Sequence, residues 1–316
     1  MPMLEFLFIF LQTLTLLALA PLIIGVIRKT KAVLQSRKGP PLLQPYYDLI
    51  KLFHKGSVIS KDASWMTTIA PLACLISMVV AALLVPAFLT TTAGFMGDLI
   101  VLVYLFANMR FFMALAALDA GSTFGGMGSS REMMVSALIE PAILLAFFSI
   151  ALLTGTTSLS IASGLIVDSG AELIGPTLIL AFSAFIIALL AENSRIPFDN
   201  PATHLELTMT HEGMLLEYSG RDLALMEYAS MIKLMLFMTI AWNAFLPWGI
   251  ATELRMGSLL IGAGLFLLKV FLLAVIIALI ESSMAKMRLF RQPSLLAGAF
   301  VLAFLAVVSY FVLEAM

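Results

Sequence analysis

The sequence has few residues that bind metals. It holds one cysteine, Cys74, and three histidines, His54, His204 and His211, among 316 residues. One thiol cannot close an internal disulfide, and it cannot supply the roughly four ligands of an iron–sulfur cluster or build a thiolate-ligated zinc or nickel centre. The histidines lie outside the apolar runs and form no HExxH motif. We therefore expect no metal, no cofactor and no catalytic redox centre in this chain.

Charge is also scarce. Only 12% of the residues are charged, whereas soluble domains contain about 25%. Hydrophobic residues make up 61% of the chain, and the mean hydropathy is +1.06. The apolar runs are near the roughly 20 residues that a helix needs to cross a bilayer, and alternating strands of the membrane-barrel kind are absent. These features exclude a soluble protein and predict an all-α integral membrane protein, with residues 1–316 as one polytopic domain.

The apolar runs predict about eight transmembrane helices. We place them at about 4–27, 66–89, 98–118, 133–154, 172–192, 224–247, 257–281 and 295–314. The first run carries Glu5 rather than a basic start and lacks a small-residue cleavage site, so we interpret it as a retained span. The connections 28–65, 119–132, 193–223 and 282–294 are polar or amphipathic, whereas 90–97, 155–171 and 248–256 are short or bland.

The distribution of basic residues predicts the orientation. If both termini lie outside, the inner connections hold fourteen of the 18 basic residues and the outer connections hold only Arg255. This asymmetry follows the positive-inside rule. It places the protein in the inner, cytoplasmic membrane, and it places the acid-rich connection 193–223 on the cytoplasmic side. The other three basic residues, Arg110, Lys233 and Lys269, fall inside spans.

The first inner connection contains a predicted amphipathic helix at about 44–55. Leu49, Ile50, Leu52 and Phe53 lie on one side at helical spacing, and charged residues lie on the other. A short helix of this kind is typical of the plane of the membrane interface.

Ionisable residues inside the spans are costly in lipid and are therefore candidate functional groups. They are Arg110, Glu132, Glu140, Glu227, Lys233, Lys269 and Glu281. A desolvated carboxylate exchanges protons more readily near neutral pH, so Glu140 and Glu132 are candidate proton-relay sites. The competing interpretation is a hydrogen bond that only packs helices. We expect Lys233 to pair with Glu140 or Glu192, and Lys269 to pair with an acid on a neighbouring span.

The connection after the fifth predicted span is unusually acidic. Six acids fall within residues 192–223, namely Glu192, Asp199, Glu206, Glu212, Glu217 and Asp222. Only Arg195 and Arg221 accompany them, so we expect the acids to raise one another's pKa and to titrate as a coupled set. An acidic surface without a role is the alternative, but spans flank this connection so closely that much of it should pack on the helices.

Three separated motifs resemble one family. They are "AENSRIPFDNPATHLEL" with "LEYSG" in the acidic connection, "RKGPPLLQPYYDLIKLFHKGSV" at 37–58, and "GSSREMMVSALIEP" at 128–141. All resemble the H-type membrane subunit of respiratory complex I, as do the eight spans. Ala202, His204 and the "THEGM" insertion depart from the complex I pattern. The chain is more similar to the membrane-anchor subunits of energy-converting nickel–iron hydrogenases of the formate hydrogenlyase and hydrogenase-4 type.

The resemblance implies a partner set and a function. The partners would be hydrogenase large and small subunits, an iron–sulfur subunit and antiporter-like membrane subunits in the lipid bilayer, with no nucleic acid. Those subunits would carry the iron–sulfur clusters and the nickel–iron centre. This chain would anchor the soluble module and link electron transfer to H⁺ or Na⁺ movement. The alternatives are the quinone-site subunit of an NADH:quinone oxidoreductase and a stand-alone secondary transporter, which would favour two related halves.

The motifs and the in-span charges together give two candidate groups. Residues expected to couple ions are Glu132, Glu140, Glu192, Asp199, Glu206, Glu212, Glu217, Lys233, Lys269 and Glu281. Residues expected to contact the soluble arm are Arg37, Lys38, Gly39, Pro40, Gln44, Asp48, Lys51, Arg131 and Arg195.

Overall fold

A computed structural model describes residues 2–61, 63–90, 99–170, 175–199, 209–252 and 255–314. Over these residues the chain is helical. The α-helices are α1 (Pro2–Leu34), α2 (Gln44–Phe53), α3 (Trp65–Leu84), α4 (Leu99–Asp119), α5 (Thr123–Thr154), α6 (Leu159–Asp168), α7 (Pro176–Glu192), α8 (His211–Leu215), α9 (Gly220–Phe245), α10 (Met256–Ser283) and α11 (Gln292–Glu314). A 3₁₀ turn at Leu289–Arg291 precedes α11.

The all-helical membrane architecture is confirmed. Within the described residues, seven helices are long and apolar enough to cross a bilayer, namely α1, α3, α4, α5, α9, α10 and α11. The remaining predicted span corresponds to α7, which has 17 residues. At 1.5 Å per residue α7 is about 25 Å long, at the short end of the range for a spanning helix.

Helix α5 begins earlier than the sequence predicted. The connection expected at 119–132 is helical from Thr123, with the Ser122 hydroxyl accepting a hydrogen bond from Gly125 N at 3.1 Å. Glycines allow the extra turns to pack closely, since a Cβ at Gly128 would lie 2.8 Å from the carbonyl oxygen of Thr210. A short helix that sequence analysis did not predict, α6, forms within the connection 155–171.

The core is organised around α9. In its most apolar stretch 72% of the residues are buried, against 22% for α11, so α9 is central and α11 peripheral. Aromatic side chains tie α9 to its neighbours. The ring of Phe237 lies 4.6 Å from that of Phe106 on α4 and 5.7 Å from that of Phe185 on α7. These separations fall in the favourable range for aromatic pairs.

A non-helical segment follows α3 and is buried. Gln12, on α1, accepts hydrogen bonds through Oε1 from the backbone N–H groups of Ala87, Phe88 and Leu89 at 2.8, 3.1 and 3.1 Å. Lipid offers no hydrogen bonds, so unpaired backbone groups at membrane depth are costly. One side chain therefore satisfies three donors where the helical pattern stops.

A second irregular segment, after α9, completes this packing. Asn243 donates through Nδ2 to the carbonyls of Pro86 and Ala87 at 2.6 and 2.8 Å. Ala251 N donates to the carbonyl of Phe88 at 2.9 Å, and Thr90 N donates back to the carbonyl of Ala251 at 2.9 Å. The ends of α3 and α9 are thereby fixed to each other.

Replacing Gln12 tests this arrangement. The change Gln12→Leu keeps the side-chain size but leaves three buried N–H groups without an acceptor. Each unsatisfied buried group costs about 1–3 kcal/mol, so we expect a loss of at least about 2 kcal/mol of stability, measured as a lower melting temperature in detergent. The control is Thr15→Val, because the Thr15 hydroxyl bonds only the carbonyl of Gln12 in its own helix. Equal melting temperatures for Gln12→Leu and wild type would contradict the account.

Candidate functional site

A cavity of about 650 Å³ lies where α1, α7, α9 and α10 meet the acidic connection. This volume is within the range of small-molecule sites. Its acidic lining residues are Glu192, Asp199, Glu212, Glu227 and Glu281, and its basic lining residues are Arg28, Lys31, Arg37, Arg195 and Lys233. Apolar lining residues include Ile24, Ile27 and Leu234. The cavity is thus strongly charged but nearly balanced in sign.

The deepest part of the site is a buried ion cluster around Arg110, which is 3% exposed. Nη1 of Arg110 pairs with Glu192 and Nη2 pairs with Glu140. Lys233 completes the cluster, with Nζ 2.8 Å from Oε2 of Glu192 and 2.7 Å from the Glu192 carbonyl oxygen. Two cations and two carboxylates therefore share one site. We call these four residues the Arg110 cluster.

The Arg110 cluster connects the cavity with another surface of the protein. Glu192 lines the cavity, and its side chain is 1% exposed. The side chain of Glu140 is 36% exposed and lies at the other side of Arg110. One guanidinium thus bridges a carboxylate at the cavity and a carboxylate at an outer face of the helices.

The predicted pairings are partly confirmed. Lys233 pairs with Glu192, one of its two expected partners, whereas Glu140 contacts Arg110. The acid partner expected for Lys269 was wrong. Among the described residues, Lys269 Nζ donates to the carbonyl of Leu246 at 2.8 Å and lies 5.7 Å from the Trp242 ring. Helix α9 ends at Phe245, so the carbonyl groups of its last turn have no partner within the helix. These carbonyl groups attract a cation such as the Lys269 ammonium.

Glu281 joins three parts of the chain at the edge of the cavity. Its carboxylate lies 3.2 Å from Lys31 Nζ and 3.2 Å from Arg195 Nη1, and the side chain is 2% exposed. Lys31 is on α1, Glu281 is on α10, and Arg195 follows α7. These ion pairs hold the start of the acidic connection against two spans.

Asp199 fixes the next part of the acidic connection. Its Oδ1 lies 2.9 Å from Lys286 Nζ. Its Oδ2 accepts hydrogen bonds from the backbone N–H groups of Thr210 and His211 at 3.1 and 3.4 Å. The backbone N–H of Met287 also donates to the carbonyl of Pro197 at 2.9 Å. The connection between α10 and α11 therefore binds the PFD motif.

The expectation of uncompensated acids was wrong for two of them. Glu192 is paired with Arg110 and Lys233, and Asp199 is paired with Lys286. These cations come from α4, α9 and the α10–α11 connection, so a count within the acidic segment could not find them. Sequence analysis did not select Lys286; its only signal was the basic composition of that connection.

The other predicted coupling residues lie in different environments. Glu132 is buried on α5, at 4% exposure. Glu212 is half-buried and lines the cavity, whereas Glu217 is exposed and lies outside the lining. Glu206 lies outside the described residues, as do Ala202 and His204.

Several residues expected to contact the soluble arm border the cavity. Arg37, Gly39 and Pro40 line it directly, and the backbone of Gly39 has a φ of 64°. Lys38 contributes its carbonyl, which accepts a hydrogen bond from Lys29 Nζ at 2.7 Å.

The amphipathic helix is confirmed as α2. Gln44 Nε2 donates to Asp48 Oδ1 at 2.8 Å at its start, and Lys51 is exposed near its end. Leu49 is buried against the spans, whereas Ile50 is 54% exposed. The apolar side of α2 thus continues beyond the protein contact, as expected for a helix at the membrane interface.

Arg131 supports the far end of the acidic connection. Its Nη1 donates to the carbonyl of Met209 at 3.2 Å, which ties α5 to the segment before α8.

The "LEYSG" motif holds the first inner connection. Ser219 Oγ accepts a hydrogen bond from Val58 N at 2.8 Å, and Tyr218 OH donates to the carbonyl of Thr67 at 3.0 Å. Gly220 has a φ of 54°, and a Cβ there would lie 2.3 Å from the Gly56 carbonyl oxygen. Sequence analysis used this motif only for the family resemblance and missed its positioning role.

His211 is neutral at physiological pH. Its Nε2 lies 3.2 Å from Ser230 Oγ on α9. Burial lowers the pKa of His211 to about 4, and the Lys233 charge acts in the same direction, while Asp199 opposes both. In the described part of the chain, no group of three or more His, Cys, Asp or Glu side chains is arranged to hold a metal ion.

The lowered pKa of His211 predicts a pH dependence of stability. Unfolded His211 binds a proton below its usual pKa of 6.5, whereas folded His211 stays neutral down to about pH 4. Stability therefore falls as the pH falls from 6.5 to 4. We expect His211→Gln to melt with a shallower pH dependence than wild type across this window. Identical slopes for the two proteins would contradict a His211 side chain that stays neutral in the folded protein.

Comparison with known proteins identifies the family. The family described as NADH dehydrogenase matches residues 6–312. Formate hydrogenlyase subunit 4 of Escherichia coli K12 is 36% identical over 303 residues, covering 95% of this chain and 96% of that protein. Hydrogenase-4 component C of the same organism is 37% identical over 279 residues, covering 88% and 87%. The H-type subunit of NADH-quinone oxidoreductase from Rubrobacter xylanophilus is 32% identical over 234 residues, covering 69% and 68%.

A solved structure shows the same fold. It is a chain of the membrane-bound sulfane sulfur reductase, an archaeal respiratory membrane complex, with a TM-score of 0.81 at 20% identity and coverage of 96% of this chain and 99% of that one. The chain therefore belongs to the NADH dehydrogenase family, as a multi-pass membrane protein homologous to formate hydrogenlyase subunit 4, hydrogenase-4 component C and the H-type subunit of NADH-quinone oxidoreductase.

Proposed function

We propose that this chain is the membrane-anchoring, ion-coupling subunit of a hydrogenase complex of the formate hydrogenlyase or hydrogenase-4 type. It docks a soluble module that holds the iron–sulfur clusters and the nickel–iron centre, and it links electron transfer to H⁺ or Na⁺ translocation with antiporter-like partners. The observation that carries the proposal is the Arg110 cluster, which joins the charged cavity to Glu140. The identities of 36% and 37% to two hydrogenase-type subunits support the choice of complex.

The docking surface follows from the elements that border the cavity. The segment 35–40, the start of the acidic connection and α8 all contribute lining residues. We assign this end to the cytoplasm, with both termini on the outer face, because the inner connections hold fourteen basic residues against one. A soluble module bound here would place its redox centres over the cavity.

Charge balance gives a coupling mechanism for the Arg110 cluster. The four residues are neutral as a set, with two cations and two carboxylates. A proton that neutralises Glu192 from the cavity leaves an excess positive charge in a poorly screened site. Coupled groups respond to one another's protonation, so protonation of Glu192 lowers the affinity of Glu140 for H⁺ or Na⁺, and deprotonation of Glu192 raises that affinity again. The chain thus transmits a charge change at the cavity to another face without a redox centre of its own.

A quinone-reducing role is the second candidate. The similarity to the H-type subunit of NADH-quinone oxidoreductase from Rubrobacter xylanophilus and a cavity of about 650 Å³ favour it. The identity of the soluble partner distinguishes the two roles, since a hydrogenase large subunit supports the first and an NADH-oxidising module supports the second.

The proposal is tested with an affinity-tagged chain that carries Glu140→Gln. We expect the purified complex to retain a nickel–iron large subunit and hydrogen turnover, because Arg110 still pairs with Glu192 and because the Glu140 side chain, unlike that of Glu192, is 36% exposed. We expect proton or sodium translocation in proteoliposomes to fall by about 10²-fold or more, because a positioned proton-transfer group typically contributes about 10²–10⁴-fold to a rate.

Asp168→Asn is the matched control, because Asp168 is exposed at the end of α6, lies outside the cavity lining and belongs to neither candidate group. It should translocate ions like wild type. Wild-type translocation in Glu140→Gln would remove Glu140 from the path. Purification of the tagged chain without a hydrogenase subunit would reject the assignment to this type of complex.

A further inference from the structure

The connection between α10 and α11 carries an exposed basic and aromatic surface. Residues 284–291 read "MAKMRLFR", with three basic residues and no acid. Phe290 is 94% exposed, the highest exposure among the large hydrophobic residues that the structure describes. Arg288 and Arg291 are exposed on either side of it. We call these three residues the Phe290 surface.

The Phe290 surface lies at the boundary of the bilayer. The apolar helix α10 ends at Ser283, and α11 begins at Gln292, two residues after Phe290. The polar headgroup layer is several ångströms thick on each side of the hydrocarbon, so two residues keep Phe290 within reach of it. Amphipathic segments in this layer combine Lys or Arg with Trp, Phe or Leu, as this stretch does.

The two arginines are available for a ligand. Lys286, the third basic residue, is occupied by Asp199 at 2.9 Å. Neither Arg288 nor Arg291 lies within ion-pair distance of a carboxylate in the described part of the chain. A guanidinium binds phosphate oxygens through paired N–H groups. We propose that the Phe290 surface binds the headgroup of an anionic phospholipid, with the Phe290 ring among the upper acyl carbons.

The neighbouring surface supports a lipid as the occupant. Only 22% of the most apolar stretch of α11 is buried. Phe300, Phe304 and Phe311 on this helix are 40%, 50% and 53% exposed. The Phe290 surface therefore continues into a side of the protein that suits acyl chains, and its charge is opposite to that of an anionic headgroup.

The bound lipid would act on the wall of the cavity. The same connection holds the PFD motif through the Lys286–Asp199 ion pair, through Met287 N to the Pro197 carbonyl at 2.9 Å, and through Gln292. The connection between α10 and α11 would then be held at two places, by the lipid headgroup at Arg288 and Arg291 and by Asp199 at Lys286. A bound anionic lipid would thus help to hold the acidic connection in place.

Photocrosslinking in the intact complex tests the proposal. Benzoylphenylalanine is placed at position 290, and the complex is reconstituted in nanodiscs with equal amounts of phosphatidylglycerol and phosphatidylcholine. We expect a lipid adduct by mass spectrometry, enriched about 30-fold in phosphatidylglycerol, since each arginine near an anionic surface contributes about 1 kcal/mol. Inorganic phosphate added before irradiation should not reduce the yield of the adduct, because free phosphate lacks acyl chains.

Two variants in the same background separate charge from folding. The double variant Arg288→Gln/Arg291→Gln should form adducts with the two lipids in nearly equal amounts, as they were mixed. The double variant Arg288→Lys/Arg291→Lys should keep most of the phosphatidylglycerol enrichment. A crosslink to another protein subunit would overturn the proposal, as would equal labelling of the two lipids in the parent complex. A lower adduct yield when inorganic phosphate is present during irradiation would identify a free anion site and would also overturn the proposal.

Discussion

The Arg110 cluster is the interaction on which the site depends. Arg110 on α4 pairs with Glu140 on α5 and Glu192 on α7, and Lys233 on α9 pairs with Glu192. Charges at this depth lose their hydration, and removal of one partner from a buried pair typically costs about 3–5 kcal/mol. The cluster therefore fixes four spans relative to one another while it keeps charged groups inside the protein. Glu192 and Lys233 of this cluster line the cavity, and Arg110 connects Glu192 with Glu140.

The irregular segments are organised around this cluster. Glu281 fastens the acidic connection to α10, and Asp199 fastens it to the connection between α10 and α11. The "LEYSG" motif fastens the first inner connection to the start of α9. At the other end of α3 and α9, Gln12 and Asn243 satisfy the backbone where both helices stop. Polar groups thus appear at membrane depth where non-helical backbone or another charge requires them. The cavity owes its shape to these contacts.

Much of the fold is predictable from the sequence because its signals are local. Apolar runs of helical length locate the spans, and the spacing of Leu49, Ile50 and Phe53 locates α2. The start of α5 is not predictable in this way, because "GSTFGGMGSS" is rich in residues with low helix propensity. It is helical because Gly128 permits close approach of the segment before α8. The partners of Lys269 and Asp199 also depend on packing between distant elements, so the in-span charges identify candidates but do not choose their contacts.

The central claim is that the Arg110 cluster acts as one electrically balanced set, and a double-mutant cycle tests it directly. Lys233→Met leaves two carboxylates with one cation, and Glu192→Gln leaves two cations with one carboxylate. The double variant leaves Arg110 with Glu140 and is balanced again. We predict that each single change lowers the free energy of unfolding by about 3–5 kcal/mol, and that the double variant recovers at least about 2 kcal/mol relative to the sum of the single losses. Additive losses in the double variant would contradict the account.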